Sequence, residues 1–369
     1  MALWVGASHR EAMNRLRIRL TDVSPLVGLA IAVAAAALSL PALILGVALV
    51  AAVLAAVHHA EVVAHRVGEP FGTLILALAV TVIEVGLILT LMQSDPERSV
   101  TLARDTVFAA VMVILNLLMG LCLMVGAIKH HEQRFQRTGM GAALATLTVL
   151  TVVTLVLPNY TSSAPGPLYS PEQLGFVAVA SLWLYATFAL VQTVRHRGYF
   201  LPDGAEQDEP EVHAPPPTGA RTAVSGGLLL ASLVAVVLLA KQLSPTIGGL
   251  LANAGAPAAV LGVVIAAMVL APESLAAIRA AHANRLQTSL NLALGSALAT
   301  IGLTIPAVAL LSIITGMPVA LGLSDKSAVL LFLSLIVASQ TLANGRTTVL
   351  QGAIHLTIFA VYLFTTFVP

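Results

Sequence analysis

Charge is the scarcest property of this chain. Asp, Glu, Lys and Arg make up 9% of its 369 residues, where about a quarter is usual for soluble domains. Hydrophobic residues reach 58% and mean hydropathy is +0.95. A soluble globule is thereby excluded, and the chain reads as an all-α polytopic membrane protein. The formal net charge of +1 points to no particular partner, and none of nucleic-acid type is expected. Cysteine is reduced to Cys122, set inside an apolar run. Disulfides and cysteine-based metal sites are therefore excluded. A short leader ahead of an apolar core is missing as well. Met1 to Ser24 is long and polar, and the apolar stretch resumes directly after Pro41, so no cleaved signal peptide is expected.

What the chain has instead is a succession of long apolar runs. They fall at 25–40, 41–57, 71–92, 106–128, 140–157 and 174–194, and then at 224–242, 257–280, 290–315, 327–343 and 348–367. Each approaches the twenty or so residues that cross a ~30 Å hydrocarbon core. The first division rests on Pro41, which breaks or kinks a helix. With the N-terminus in the cytoplasm, fourteen of the eighteen Lys and Arg residues fall inside. Only Arg98, Arg104, Lys241 and Lys326 fall outside. That bias is what the positive-inside rule requires, and it leaves the C-terminus outside.

These runs divide the chain into five parts: a basic cytoplasmic segment (1–24), an extra transmembrane helix (25–40), a first five-helix repeat (41–197), a linker (198–222) and a second five-helix repeat (223–369). The leader carries Arg10, Arg15, Arg17 and Arg19, with Met13, Leu16 and Leu20 spaced for one face. This suits an interfacial helix on an anionic leaflet, or simply a flank that fixes topology. The linker, which includes DGAEQDEPEVHAPPP, is acidic and Pro-rich and reads as a solvated connector. An odd number of spans per half inverts one half relative to the other, the plan of many secondary transporters.

The first half's second span, GEPFGTLILALAVTVIEVGLIL, contains Glu84; the second half's second span, AAMVLAPESLAAI, contains Glu273. An intramembrane carboxylate costs several kcal/mol and is retained where it has a use. The two glutamates are the candidate ligands of a cation site that also takes up protons. Thr81 precedes Glu84 by one turn, and neighbouring spans add Asn116, Asn291, Ser296, Thr300 and Thr304. Pro272 has no N–H, so the carbonyl of Met268 loses its helical donor. Hard cations take oxygen ligands, calcium six to eight of them. Intramembrane Ser and Thr residues also commonly bond to their own helix, which is the competing role for Thr81, Ser296 and Thr304. Arg104 and Asp105, at a span edge, read as an exposed pair.

His58, Glu61 and His65 follow i, i+3, i+7 spacing on one helix face, with His59 alongside. They make no complete zinc motif, and a pH-sensing or proton-relay role is open to them. His130 and His131 belong to a basic loop.

Three stretches carry a resemblance: VAHRVGEPFGTLILALAVTVIEV, APESLAAIRAAHANRLQTSLNLALGSALATIGLTIPAV and NGRTTVLQGAIHL. On them the chain resembles the calcium/cation antiporter superfamily, in its cation/proton exchanger branch, and most of all the bacterial ChaA-type antiporters. The resemblance implies eleven helices, one extra plus two inverted sets of five, with Glu84 and Glu273 as the paired cation ligands. It implies a multi-pass protein of the bacterial cytoplasmic membrane, whose partners are the bilayer, inorganic cations and protons. No cofactor is implied, and a homo-oligomer is compatible with it. Where the wider family carries a Gly-Asn pair ahead of each glutamate, this chain has Val80-Thr81 and Leu270-Ala271. Fewer oxygens widen the choice of cation from calcium to sodium and potassium. The competing functions are a cation channel using the same acids and an intramembrane enzyme. For the enzyme, neither a nucleophile–base pair nor a complete metal set can be assembled from the sequence.

Overall fold

The computed structural model describes residues 21–38, 40–68, 71–94, 100–201, 217–253, 255, 257 and 259–368. The arginine-rich stretch 8–20 and the acidic core of the linker lie outside these residues. The described chain is almost entirely helical. Ten helices are long and apolar enough to cross a membrane, and Thr21–Ala37 is a shorter apolar helix ahead of them. In chain order we number them α1 (Thr21–Ala37), α2 (Ala42–Val67), α3 (Phe71–Ser94), α4 (Leu102–His130), α5 (Arg137–Tyr160), α6 (Pro171–Arg195), α7 (Gly219–Asn253), α8 (Ala259–His282), α9 (Leu286–Thr315), α10 (Asp325–Ala343) and α11 (Val349–Phe367). Pro41 separates α1 from α2, serving as the N-cap of the latter. One small antiparallel ladder accompanies them: β1 (Gln133–Arg134) pairs with β2 (Arg346–Thr347).

Helix ends follow local chemistry. Ser170 and Gln173 form a reciprocal capping box at the start of α6, with Pro171 in the first turn. Thr348 and Gln351 do the same for α11, and Ser324 accepts from Ser327 N–H to open α10. Such caps satisfy backbone donors that have no partner within the helix. At the other end of α9, Gly316 supplies the left-handed residue that closes it.

The chain divides into two compact units. In the first, α2 and α3 form a helical hairpin. Its turn is so tight that a Cβ on Gly72 would stand 2.6 Å from the carbonyl oxygen of Ala64. Gly28 of α1 packs on Ala52 of α2 and Ala235 of α7. In the second unit α8 lies against α4 and α9, α11 against α4 and α10, and α6 against α9. Small residues permit these close crossings. A Cβ on Gly352 would meet Met124 N at 2.8 Å, and one on Gly302 would meet Tyr185 Cβ at 2.6 Å.

Among the described residues four helices contain a π turn: Val113–Leu118 in α4, Val152–Val156 in α5, Val191–Arg195 in α6 and Thr300–Thr304 in α9. Proline accounts for two of them. Pro158 and Pro306 withhold an N–H from the turn before them, so the helical ladder must shift or find another donor. In α5 that donor is Tyr169, whose hydroxyl donates to the carbonyl of Val153. Tyr169 is buried, and burial pushes its hydroxyl up to about 12 from the usual 10. The protonated donor is therefore favoured by folding. Its contribution to stability is complete below pH 10 and is lost as pH rises towards 12. We expect Tyr169→Phe to destabilise the protein by about 1–3 kcal/mol, the cost of an unsatisfied buried acceptor. Tyr160→Phe, at a side chain 77% exposed, should leave the unfolding midpoint in detergent unchanged. Equal midpoints for the two variants would contradict this role for Tyr169.

Candidate functional site

In the first unit, Glu84 lies within α3 at only 3% exposure, between the buried Ile83 and Val85. Thr81, one turn earlier, donates its hydroxyl to the carbonyl of Ala77 at 2.8 Å, and Thr90 does likewise to Gly86 at 2.7 Å. Gly86 sits beneath Val237 of α7, 3.0 Å from where a Cβ would stand. The carboxylate is thus carried on a helix that a glycine contact brings against its neighbour.

Glu273 occupies α8 of the second unit and is half-buried. The helix runs through Pro272 without ending, so the carbonyl of Met268 faces a residue that has no N–H to give. On either side of α8 stand α4 and α9, both interrupted by a π turn. Thr300 and Thr304 open and close the turn in α9, at 3% and 0% exposure. Ser296, one turn ahead of it, is half-buried. Asn116 lies inside the turn of α4. Single π turns of this kind recur at functional sites. In the sequence's division into halves, each interrupts the third span of its own half.

Asn116 is fully enclosed, and its amide is engaged at both ends. Its nitrogen donates to Ser334 Oγ at 2.9 Å; its oxygen accepts from Nδ1 of His355 at 3.4 Å. Ser334 passes its own hydrogen to the carbonyl of Leu330 at 2.7 Å. The second ring nitrogen of His355 meets Thr341 Oγ1 at 3.1 Å. Ser334, Thr341 and His355 were not singled out from the sequence. A signal was available, because His355 is an ionisable residue inside the apolar run that follows NGRTTVLQGA.

Asn291 has a different setting. Its amide nitrogen donates to the carbonyl of Phe200 at 2.6 Å, and its oxygen accepts from Gln287 Nε2 at 3.3 Å. Gln287 also donates to the Phe200 carbonyl and accepts the N–H of Gln136. These amides fasten the chain following α6 to the start of α9.

The histidines of α2 are distributed unevenly. His59 is enclosed and donates Nε2–H to the carbonyl of Thr21 at 3.1 Å, tying α2 to the start of α1. His58 is half-buried, whereas Glu61 and His65 face outward. Among the described residues no group of three His, Cys, Asp or Glu side chains could hold a metal ion. Arg104 and Asp105 form an ion pair at 2.8 Å with only 17% and 12% of their side chains exposed, more enclosed than a pair at a span edge suggests. Arg104 also donates to the carbonyl of Gly322. Arg104 borders a cavity of about 450 Å³ also lined by Asn159, Thr161, Ser324 and Asp325.

Comparison with known proteins places these features in context. The sequence pattern of the family described as sodium/calcium exchanger protein matches residues 25–194 and 224–368. A putative ionic transporter, y4hA of Sinorhizobium fredii, is 47% identical over 321 residues, 87% of each chain. The sodium-potassium/proton antiporter ChaA of Escherichia coli is 36% identical over 314 residues, 84% of each. The Ca(2+)/H(+) antiporter ChaA of Bacillus subtilis is 26% identical over 256 residues, 68% of this chain and 70% of that one. Among solved structures, native YfkE superposes with a TM-score of 0.70 at 17% identity. The match covers 95% of this chain and 100% of that one. The H+/Ca2+ exchanger CAX also gives 0.70, at 16% identity, covering 94% and 88%. At such identities the two structures speak for the fold.

Proposed function

Because the chain belongs to the sodium/calcium exchanger protein family, we propose that it is a secondary antiporter exchanging cytoplasmic cations for protons. Glu84 and Glu273 are the exchanging groups, one in each unit. The observation that carries this reading is a carboxylate withdrawn from the surface in the second span of each half of the chain, buried Glu84 on α3 and half-buried Glu273 on α8. Enclosure favours a protonated carboxyl, whereas a cation alongside favours the carboxylate. Cation and proton therefore compete for each glutamate. If exposure changes only when the group holds one or the other, the two fluxes are coupled. Alternating access would come from one repeat moving against the other, as in other inverted-repeat carriers. Nothing in this cycle calls for covalent chemistry or a resident cofactor.

Calcium is the leading cargo, with sodium and potassium as the alternatives. The named relatives divide between these ions, and Thr81 in place of an amide leaves fewer oxygens beside Glu84. We place the protein in the bacterial cytoplasmic membrane with the N-terminus inside, from its distribution of Lys and Arg.

The test is exchange in proteoliposomes with an imposed pH gradient, run with calcium, sodium and potassium in turn. A carrier gives saturable cation flux that stops when the pH gradient is collapsed and releases protons in proportion. Cation flux that persists without proton countermovement would replace the carrier reading with a channel.

A further inference from the structure

We propose that His355 is a proton-binding residue of the exchanger, additional to the two glutamates, and that it accepts its proton at Nε2. The proposal rests on the cation/proton reading above. Its ground is a directional chain of hydrogen bonds within the second unit. Ser334 donates to the Leu330 carbonyl, so its oxygen accepts from the Asn116 amide nitrogen. That orientation turns the Asn116 oxygen towards the ring, so Nδ1 of His355 carries a hydrogen. In the neutral imidazole Nε2 must then hold the lone pair, because the bond at one ring nitrogen sets the state of the other. Thr341 Oγ1, 3.1 Å away, donates to it.

A threonine hydroxyl can donate or accept. When Nε2 takes up a proton, the hydroxyl turns to accept from it, and every other bond in the chain keeps its direction. The site therefore accommodates both states of the ring through the rotation of one hydrogen. Its position also fits proton exchange. Asn116 lies halfway along the 29-residue α4, about 21 Å from either end at 1.5 Å per residue. Ser334 lies at the middle of α10, and Thr341 lies two residues from its end. The chain thus runs about 10 Å along α10, from mid-helix towards the α10–α11 connection. His355, Asn116 and Ser334 are 0% exposed and Thr341 is 4% exposed.

The other titratable and charged groups on the elements packed against α11 are as follows. From α4, Asp105, paired with Arg104, acts on Tyr362 two turns further along α11, Cys122 lies against Ser289, and Lys129 and His130 bond to His282 at the helix end. From α10, Lys326 bonds to the Thr365 carbonyl at the far end of α11, with Asp325 next to it. From α8 come Glu273, Arg279 and His282. The groups that make up the ring's chain of bonds, Asn116, Ser334, Thr341 and the Leu115 and Leu330 carbonyls, are all neutral.

The test uses the full-length protein labelled with ¹⁵N-histidine, in lipid, together with proton and cation flux from the same preparation. His355 is expected to titrate at Nε2, with Nδ1–H retained, within the pH range over which the protein stays folded. Its resonance is assigned by its loss in His355→Gln. In liposomes His355→Gln should still move cation but release fewer protons per cation, and its rate should lose one limb of the pH profile. Thr341→Val keeps the ring and should move the midpoint of that limb. The proposal is overturned if His355 keeps one protonation state across the range, or if His355→Gln matches the parent in both pH profile and proton count. Should His355→Gln fail to fold, an unchanged midpoint in Thr341→Val overturns it. Absence of any proton movement in the parent protein would instead sink the exchanger reading, and the resonance still decides whether His355 binds a proton.

Discussion

Glu84→Gln and Glu273→Gln should each lower the initial rate of exchange to that of protein-free liposomes, about a hundredfold or more. Glutamine matches glutamate in length and volume and retains one acceptor oxygen. It neither titrates nor offers negative charge, and these are the two properties that cation and proton compete for. A hundredfold loss corresponds to ~2.7 kcal/mol, a modest figure for removing an anionic ligand from a site sheltered from water. Stability should hold or rise, because the substitution removes an ionisable group from a helix interior. The measurement is cation-driven proton release at matched protein levels, with elution from a sizing column as the check on folding. A well-folded Glu84→Gln variant with near-parental exchange would remove that carboxylate from the mechanism, and the same holds for Glu273. If one variant were inactive and the other fully active, a single unit would carry the coupling.

The helices were legible in the sequence for a simple reason. In a bilayer a backbone can satisfy its polar groups only within its own helix, so every span must be a long apolar run, and the runs can be read directly. Pro41 marked the division between α1 and α2 in the same local way. Glu84 and Glu273 stood out because a carboxylate among twenty apolar residues is conspicuous without any knowledge of its neighbours.

The polar partners were not legible, because they come from far along the chain. Asn116 finds Ser334 218 residues later and His355 239 residues later. Neither separation leaves a trace in local periodicity. Asn291 shows the same limit from the other side. Its place in an apolar span suggested a ligand oxygen, whereas its amide is bonded to Phe200 and Gln287. A short polar side chain in a span shows that something polar is nearby, without showing what. The π turns fall between these cases. Pro158 and Pro306 announce that a carbonyl will lack its donor, but that Tyr169 supplies the substitute in α5 depends on how the chain returns through the α5–α6 connection.

Gly262 is where a single added carbon should damage the packing of α8 on α4. A Cβ built there would lie 2.8 Å from the carbonyl carbon of Asp105 and 2.9 Å from both the Asp105 oxygen and the Thr106 nitrogen. All three are backbone atoms of the first turn of α4, so no side-chain rotation can relieve the clash. Non-bonded carbons are most comfortable at about 3.5–4.0 Å, so even alanine must push α8 from α4 by roughly 0.7 Å at this crossing. We expect Gly262→Ala to cost about 1–3 kcal/mol, the usual penalty for overpacking, and Gly262→Val to cost more. The functional effect follows from the lever that α8 provides. Glu273 lies eleven residues further along, about 16 Å by helical rise, so displacement at Gly262 tilts the helix that carries it. Exchange should fall in the order parent, alanine, valine, while the thermal midpoint in detergent falls in step. Gly141 of α5, with no atom within 4 Å of its added Cβ, is the control, and Gly141→Ala should stay within about 0.5 kcal/mol of the parent. A Gly262→Val protein with parental stability and rate would show that α8 and α4 have room to separate there without consequence for Glu273.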